Sequence, residues 1–173
     1  MIVVSDANIL MDLGVIGGLD LLTALGPTEV LSTILLECAH EKQPTLLDDV
    51  RRAGILTIDV EKPLLLAAAA YDNQILSLKD KQALLYARET ARILLTGETS
   101  LRLAAEQEQV RAHDAAWLVE QAFHRQVVPA QDLCRWLNAW PLRQRRLPKK
   151  ELNRLRLMLG CGTSGKSVHL PQQ

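Results

Sequence analysis

Three short apolar runs, separated by long stretches with the spacing of amphipathic helices, constrain the fold of this chain more than any other feature. They are residues 2–4 (IVV), 55–60 (ILTIDV) and 93–95 (ILL). Apolar runs this short, alternating with helical segments, predict buried parallel strands whose connecting helices cover both faces of the sheet. The sequence therefore predicts an α/β fold built on a short parallel sheet.

Helices are predicted around these strands from their apolar periodicity and from the residues at their ends. Gly26-Pro27 ends the first helix, Ser77 and Asp80 form a capping-box pattern, and Gly160 follows the last helix. The predicted helices are residues 10–25, a helix begun by Ser32, 46–52, 61–73, 77–91, 99–107, 114–124, one opened by Pro129, and 147–159, with a further short strand near Val110.

The length of 173 residues and the apolar fraction of 48% are typical of one globular domain. We expect residues 1–159 to form this domain and residues 160–173 to be a flexible tail.

No apolar run approaches the roughly 18–20 residues that a membrane helix needs. Met1 leads directly into apolar residues, without the basic region of a signal peptide. These features predict a cytoplasmic protein without membrane contact.

The charges balance over the whole chain, with 20 basic and 20 acidic residues, but basic residues concentrate near its end. Such a cluster is suited to RNA or to an acidic protein partner, and a solvated helix face is an equally open explanation. The candidate RNA- or partner-binding residues are Arg143, Arg145, Arg146, Lys149 and Lys150.

Two other patterns are weak on inspection. Cys38, Cys134 and Cys161 are an odd, scattered set without CxxC spacing, which predicts reduced thiols and argues against a zinc site or a disulfide framework.

Residues 160–167 (GCGTSGKS) match the phosphate-loop pattern GxxxxGK[ST]. That loop must connect a strand to a helix, whereas here a predicted helix precedes it and only VHLPQQ follows. No nucleotide is expected at Gly160 to Ser167.

Four carboxylates occupy positions that the predicted fold brings towards one edge of the sheet. Asp6 and Glu98 follow predicted strands, Asp80 lies in the first turn of a helix, and Glu37 lies among apolar helix neighbours. Ligands of such sheets collect outside the carboxyl ends of the strands. Converging carboxylates need a cation, and an all-oxygen donor set favours Mg²⁺ or Mn²⁺ over zinc. Such sites suit phosphodiester hydrolysis by a metal-activated water.

Each of these acids also has a purely structural explanation. Asp6 can cap a helix, Asp80 can complete a capping box, Glu37 can be solvated, and Glu98 can interact with a helix dipole. Asn8 can close an Asx-turn.

Two other hydrolase-like classes fit poorly. Haloacid-dehalogenase phosphatases need a second carboxylate where Asn8 stands, and response-regulator receivers need an acidic pair that is absent here.

Other chemistry-bearing residues have simpler explanations. Glu37 and His40 form one Glu-x-x-His pair, whereas a di-iron site needs that motif on two helices. We expect His113 and His124 to be surface or packing residues. The three tryptophans are expected in the core rather than in a base-stacking surface; they are Trp117, Trp136 and Trp140.

The resemblance to the PIN-domain nucleases is carried by five segments in this order: VVSDANILMDL, VLSTILLECAHE, ILSLKDKQALLYARE, ILLTGETSLRLAAEQEQVRAHDAAWLVEQ and RRLPKKELNRL. The likeness is strongest to VapC-like toxins of bacterial toxin-antitoxin pairs and runs from about Met1 to Met158. It implies a PIN-like three-layer sandwich, Mg²⁺- or Mn²⁺-dependent endoribonuclease activity, a homodimer and an antitoxin partner. It also implies catalytic and metal-binding roles for Asp6, Glu37, Asp80 and Glu98, with Asn8 and Thr96 in support.

The chain departs from this family pattern in two places. Glu98 stands where the family usually has Asp, which moves the carboxylate one methylene farther out. Lys79 and Lys81 flank Asp80 where small or apolar residues are usual, and an ammonium group there can replace part of the metal's charge. A catalytically weak or inactive scaffold that binds RNA or a protein partner is therefore the alternative prediction.

Overall fold

A computed structural model describes residues 3–38, 43–142 and 147–162, and its frame is a parallel sheet. The five strands are β1 (Val3–Ser5), β2 (Thr28–Leu31), β3 (Leu56–Ile58), β4 (Ile93–Leu95) and β5 (Ala112–His113). Every neighbouring pair is parallel and the order across the sheet is β3-β2-β1-β4-β5. The predicted α/β class with a short parallel sheet flanked by helices is confirmed.

Helices pack against this sheet in two groups. The bounds are α1 (Ala7–Val15), α2 (Asp20–Leu25), α3 (Ser32–Leu35), α4 (Leu46–Arg52), α5 (Lys62–Ala70), α6 (Leu78–Glu89), α7 (Thr99–Gln107), α8 (Ala115–His124), α9 (Ala130–Leu142) and α10 (Lys149–Leu159). Helix α6 contacts α5, α7, β1 and β4, while α8 contacts α2, α9 and α10. Since the strand residues between them, including Val4, Val30 and Leu94, are fully buried, the sheet is covered on both faces. Within the described ranges, every helix falls short of the length and apolarity that crossing a membrane requires.

The strand order reverses direction beside β1. From β1 the chain adds β2 and β3 on one side and β4 and β5 on the other, so the crevice between β1 and β4 is the point where such sheets bind ligands. Ser5 pairs with Leu95, and the Asp6 N–H donates to the Leu95 carbonyl at 3.0 Å. The residues that follow β1 and β4 therefore lie at the same level of the sheet.

Three local predictions of strand and helix positions are wrong, each for a physical reason. Strand β2 was not predicted, because Glu29 at its centre breaks the apolar run. The single helix predicted over residues 10–25 is two helices, α1 and α2, separated where Gly17 adopts a φ of +67°. Leu31 rather than Ser32 is the N-cap of α3, which ends at Leu35 and continues as a 3₁₀ turn, Leu36–Cys38.

The prediction of three reduced cysteines is also wrong for two of them. Cys134 in α9 and Cys161 beyond α10 form a disulfide, with their Cα atoms 5.5 Å apart. Helices α9 and α10 pack against each other, which brings together two residues that are 27 positions apart. Cys38 is free and buried.

The buried charge in β2 is satisfied by residues distant in sequence. Glu29 is 6% exposed. Its carboxylate accepts hydrogen bonds from the Tyr86 hydroxyl at 2.9 Å and from Arg92 Nε at 3.2 Å. A buried carboxylate is costly unless it is paired, so Arg92 makes a charged residue tolerable inside the sheet.

We expect Arg92→Met to lower the free energy of unfolding by about 2–3 kcal/mol, because Glu29 would remain buried with only Tyr86 as partner. Equilibrium urea denaturation measures this loss. Arg52→Met is the matched control, since Arg52 pairs with Asp49 on the surface and its side chain is 73% exposed; there we expect a change below about 0.5 kcal/mol. Equal losses in the two variants would contradict the role given to Arg92.

Candidate active site

Asp6 occupies the point where β1 ends and α1 begins. As the N-cap of α1, it accepts a hydrogen bond from the Ile9 N–H through Oδ1 at 2.8 Å. The residue is only 5% exposed, and its second oxygen, Oδ2, is buried without a hydrogen bond of normal geometry. Oδ1 is therefore used by the helix cap, whereas Oδ2 has no hydrogen bond of the geometry that most buried oxygens have.

The surroundings of Asp6 work against its charged form. Burial is the largest cause that raises the pKa of Asp6 from its ordinary value of 3.8 to about 6, and the negative charge of Asp80 adds to it. The Thr96 hydroxyl and the backbone amides of Ile9 and Gly97 act in the opposite direction. A cation beside Oδ2 would remove most of this penalty, because it replaces lost solvation with direct attraction.

Glu98, Asn8 and Thr96 are linked by hydrogen bonds across the ends of β1 and β4. Asn8 Nδ2 donates to Glu98 Oε1 at 2.9 Å, and the Glu98 N–H donates to Thr96 Oγ1 at 3.0 Å. Thr96 is fully buried. Asn8 therefore orients the Glu98 carboxylate, and Thr96 connects the loop that carries Glu98 to the surroundings of Asp6.

Asp80 both caps its helix and acts on Asp6. Its Oδ2 accepts from the Ser77 N–H at 3.1 Å and from the Ser77 hydroxyl at 2.7 Å, which completes the predicted capping box. Three of the four acids thus lie at helix N-termini: Asp6 at that of α1, Asp80 at that of α6 and Glu98 at that of α7. The positive ends of three helix dipoles reduce the repulsion among these carboxylates.

Glu37, in the 3₁₀ turn after α3, is held by a lysine. The Lys79 ammonium forms an ion pair with Glu37 Oε1, and both side chains are partly exposed. These charges also change the pKa of the nearby Cys38 thiol. Burial is the largest of the causes that raise the pKa of Cys38 to about 11; the negative charges of Glu37 and Asp6 also raise it, and Lys79 lowers it. The charges of Glu37, Lys79 and Asp6 therefore all act on this buried thiol.

We call Asp6, Glu37, Asp80 and Glu98 the acidic edge. Asp80 acts on Asp6 through its charge, Thr96 lies between Asp6 and Glu98, and Glu37 pairs with Lys79. Among the described residues, no three acidic, histidine or cysteine side chains are arranged to hold a metal ion. The donors fit Mg²⁺ or Mn²⁺ in their chemistry, because they are carboxylate oxygens and because Asp6 Oδ2 has no hydrogen bond of normal geometry. Glu37 is the exception, since Lys79 already neutralises it.

The remaining predicted site residues lie elsewhere. Lys149 and Lys150 are exposed at the start of α10, and Arg143, Arg145 and Arg146 lie outside the described residues. Gly160 is the left-handed cap of α10 with φ +68°, so a helix precedes the glycine-rich segment as predicted. His40 and most of that segment, from residue 163 onwards, also lie outside the described residues.

Sequence reasoning missed Arg102, one turn into α7. Arg102 Nη1 donates to the Thr96 carbonyl at 3.2 Å, and Nη2 donates to Thr99 Oγ1 at 3.4 Å. These bonds hold a guanidinium group close to Glu98. The periodicity of α7 predicts only that Arg102 is not in the core, so its position beside the acidic edge had no counterpart in the sequence pattern.

Comparisons with known proteins show what the chain is similar to. A family model described as DUF3368: PIN domain matches residues 2–159. A solved structure of a PilT N-terminus domain protein, SSO1118, from the hyperthermophilic archaeon Sulfolobus solfataricus P2 is similar at 14% sequence identity, with a TM-score of 0.49. That similarity covers 68% of this chain and 90% of the archaeal one. No curated protein matches the chain.

The raised pKa of Asp6 predicts an unusual stability profile for the metal-free protein. The folded state holds the Asp6 proton more tightly than the unfolded chain does, so the contribution of Asp6 to stability is present below about pH 4 and lost as pH rises through about 6. Asp6→Asn keeps an oxygen for the Ile9 N–H and carries no charge. We expect it to be roughly 2–3 kcal/mol more stable than wild type at pH 8 in EDTA and equally stable at pH 4.

Urea denaturation at these two pH values measures the difference. Asp48→Asn is the control, because Asp48 is 69% exposed in a surface pair with Arg51 and is expected to show no comparable pH-dependent gain. A wild-type protein at least as stable as Asp6→Asn at pH 8 would contradict the account of Asp6.

Proposed function

Because the chain belongs to the PIN-domain family, a family with a nuclease fold, we propose that it is a metal-dependent endoribonuclease that hydrolyses RNA phosphodiester bonds. The observation that carries the proposal is the buried Oδ2 of Asp6, which lies at the crevice between β1 and β4 and has no hydrogen bond of normal geometry. A protein that used Asp6 only as a helix cap would gain nothing from burying a carboxylate oxygen in this way.

In this proposal Asp6, Asp80 and Glu98 hold Mg²⁺ or Mn²⁺, with Glu37 joining them once Lys79 is displaced. The bound metal would supply an activated water and stabilise the leaving oxygen. Asn8 orients Glu98 through its 2.9 Å hydrogen bond, and Thr96 favours the charged form of Asp6. The N-termini of α1, α6 and α7 attract the phosphate group to be cleaved.

The family resemblance extends the proposal to a biological setting. We propose that the protein is the toxin of a toxin-antitoxin pair, acts in the cytoplasm and forms a homodimer. The basic residues near the end of the chain, Lys149 and Lys150 among them, would contact RNA or the antitoxin. Their exposure at the start of α10 is compatible with either partner.

We expect purified protein with Mn²⁺ to cleave structured RNA, and Asp6→Asn to reduce the cleavage rate at least ~100-fold, since the central ligand would lose its charge. Gel analysis of end-labelled RNA measures both rates. Asp48→Asn controls for a generic loss of one carboxylate and should cleave like wild type. Equal cleavage by wild type and Asp6→Asn, or none by either, would count against the nuclease.

The ion pair between Lys79 and Glu37 favours a second candidate function, a PIN-like scaffold that binds RNA or a protein without cutting it. An internal ammonium group at the acidic edge satisfies part of the charge that a metal would otherwise satisfy. The two candidates differ in what removal of Lys79 should do. In a nuclease, Lys79 competes with the metal for Glu37, whereas a scaffold has no metal for which to compete.

For the nuclease we expect Lys79→Gln to bind Mn²⁺ roughly two- to fivefold more tightly than wild type, as the loss of a partly exposed ion pair allows. Isothermal titration calorimetry measures the affinity. Lys81→Gln is the matched control, since Lys81 lies on the other side of Asp80 and has no ion pair within the described part of the chain. Absence of Mn²⁺ binding in all three proteins would favour the scaffold.

A further inference from the structure

A cleft of about 560 Å³ lies between α7 and β5, outside the acidic edge, and we call it the α7–β5 cleft. Its volume is in the range of clefts that bind small organic ligands. The side chains that matter for its chemistry are two arginines, an exposed leucine and an aromatic ring, each supplied by α7 or by the residues at β5: Arg102, Leu103, Arg111 and His113.

The α7–β5 cleft begins at the acidic edge. Thr99, one of its lining residues, directly follows Glu98, and Arg102 donates to the carbonyl of Thr96. On the opposite wall, the His113 carbonyl accepts a hydrogen bond from the Thr96 N–H at 2.9 Å. A ligand in the cleft would therefore lie next to the residues that surround Asp6.

Cationic groups exceed anionic groups in this cleft. Arg102 uses two of its five N–H groups on Thr96 and Thr99, which fixes the guanidinium and leaves donors for an anion. Arg111 is exposed and has no ion-pair partner among the described residues. Glu106 is the one carboxylate lining the cleft. The balance suits a phosphodiester, which guanidinium groups bind through paired hydrogen bonds.

The same cleft offers apolar and aromatic surface. Leu103 lines it and is 56% exposed, without a partner to cover it. The His113 ring stacks on Trp117 with centroids 4.1 Å apart and an angle of 5° between the planes. His113 lines the cleft and Trp117 does not. Burial lowers the pKa of His113.

We propose that the α7–β5 cleft binds one nucleotide of single-stranded RNA next to the scissile phosphodiester, with Arg102 and Arg111 at a phosphate and Leu103 and His113 at the base. Cationic side chains beside an aromatic ring are the combination that binds single-stranded nucleic acid without reading its sequence. This inference rests on the proposed function, because it takes RNA to be the substrate. It assigns to the cleft residues a role in holding RNA and none in the cleavage chemistry.

The test measures binding without cleavage. Fluorescence anisotropy of a labelled single-stranded RNA of about ten nucleotides in EDTA gives the Kd for the full chain. We expect Arg111→Gln to raise Kd about three- to tenfold and to reduce the slope of log Kd against log salt by about one, since one phosphate contact is lost. Leu103→Asp should weaken binding at least as much, because it places a negative charge against the RNA.

Arg125→Gln is the matched control, because Arg125 is an exposed arginine at the end of α8, away from the cleft, and its loss should leave the salt slope nearly unchanged. Equal Kd values and salt slopes for Arg111→Gln, Leu103→Asp and Arg125→Gln would overturn the cleft assignment alone, provided that wild type binds and cleaves RNA. A wild-type protein that neither binds nor cleaves RNA would instead overturn the proposed function, and the cleft assignment with it.

Discussion

The burial of one carboxylate, that of Asp6, is the constraint on which the rest of the structure depends. Asp6 follows β1 at the crevice between β1 and β4, where an apolar residue would pack at no electrostatic cost. The chain instead keeps an acid there, with one oxygen bonded to the Ile9 N–H and the other buried without a hydrogen bond of normal geometry. Helix N-termini and the Thr96 hydroxyl compensate part of the cost. Natural proteins retain strain of this kind mainly where they bind or react with something.

The parts of the fold that depend on local pattern could be predicted from the sequence. Apolar runs identified β1, β3 and β4, and the Ser77-Asp80 capping box and the glycine after α10 located helix ends. The predictions based on these features were correct because each feature depends only on neighbours within about four residues. The alternation of strands and helices then predicts the parallel sheet, and a parallel sheet places the residues after β1 and β4 at one edge.

What could not be predicted depends on pairs distant in sequence. Strand β2 could not be recognised because Glu29 interrupts its apolar residues. This carboxylate can be buried only because Arg92, 63 residues later, neutralises it. The Glu37–Lys79 ion pair, spanning 42 residues, likewise has no local pattern, although Lys79 stood out beside Asp80. The Cys134–Cys161 bond requires the packing of α9 on α10. Each pair follows from tertiary packing, and a sequence alone does not show which charges or thiols will meet.

The central position of β1 has a consequence for the newly made chain. Strand β1 is synthesised before the other strands of its sheet, yet it needs neighbours on both sides, and one of them, β4, is made only after α6. Until Thr96 and Glu98 have been synthesised, Asp6 has no crevice in which to be buried, and its carboxylate stays hydrated. A nascent chain shorter than that has no acidic edge, so this edge forms only when β4 joins β1 and the sheet closes.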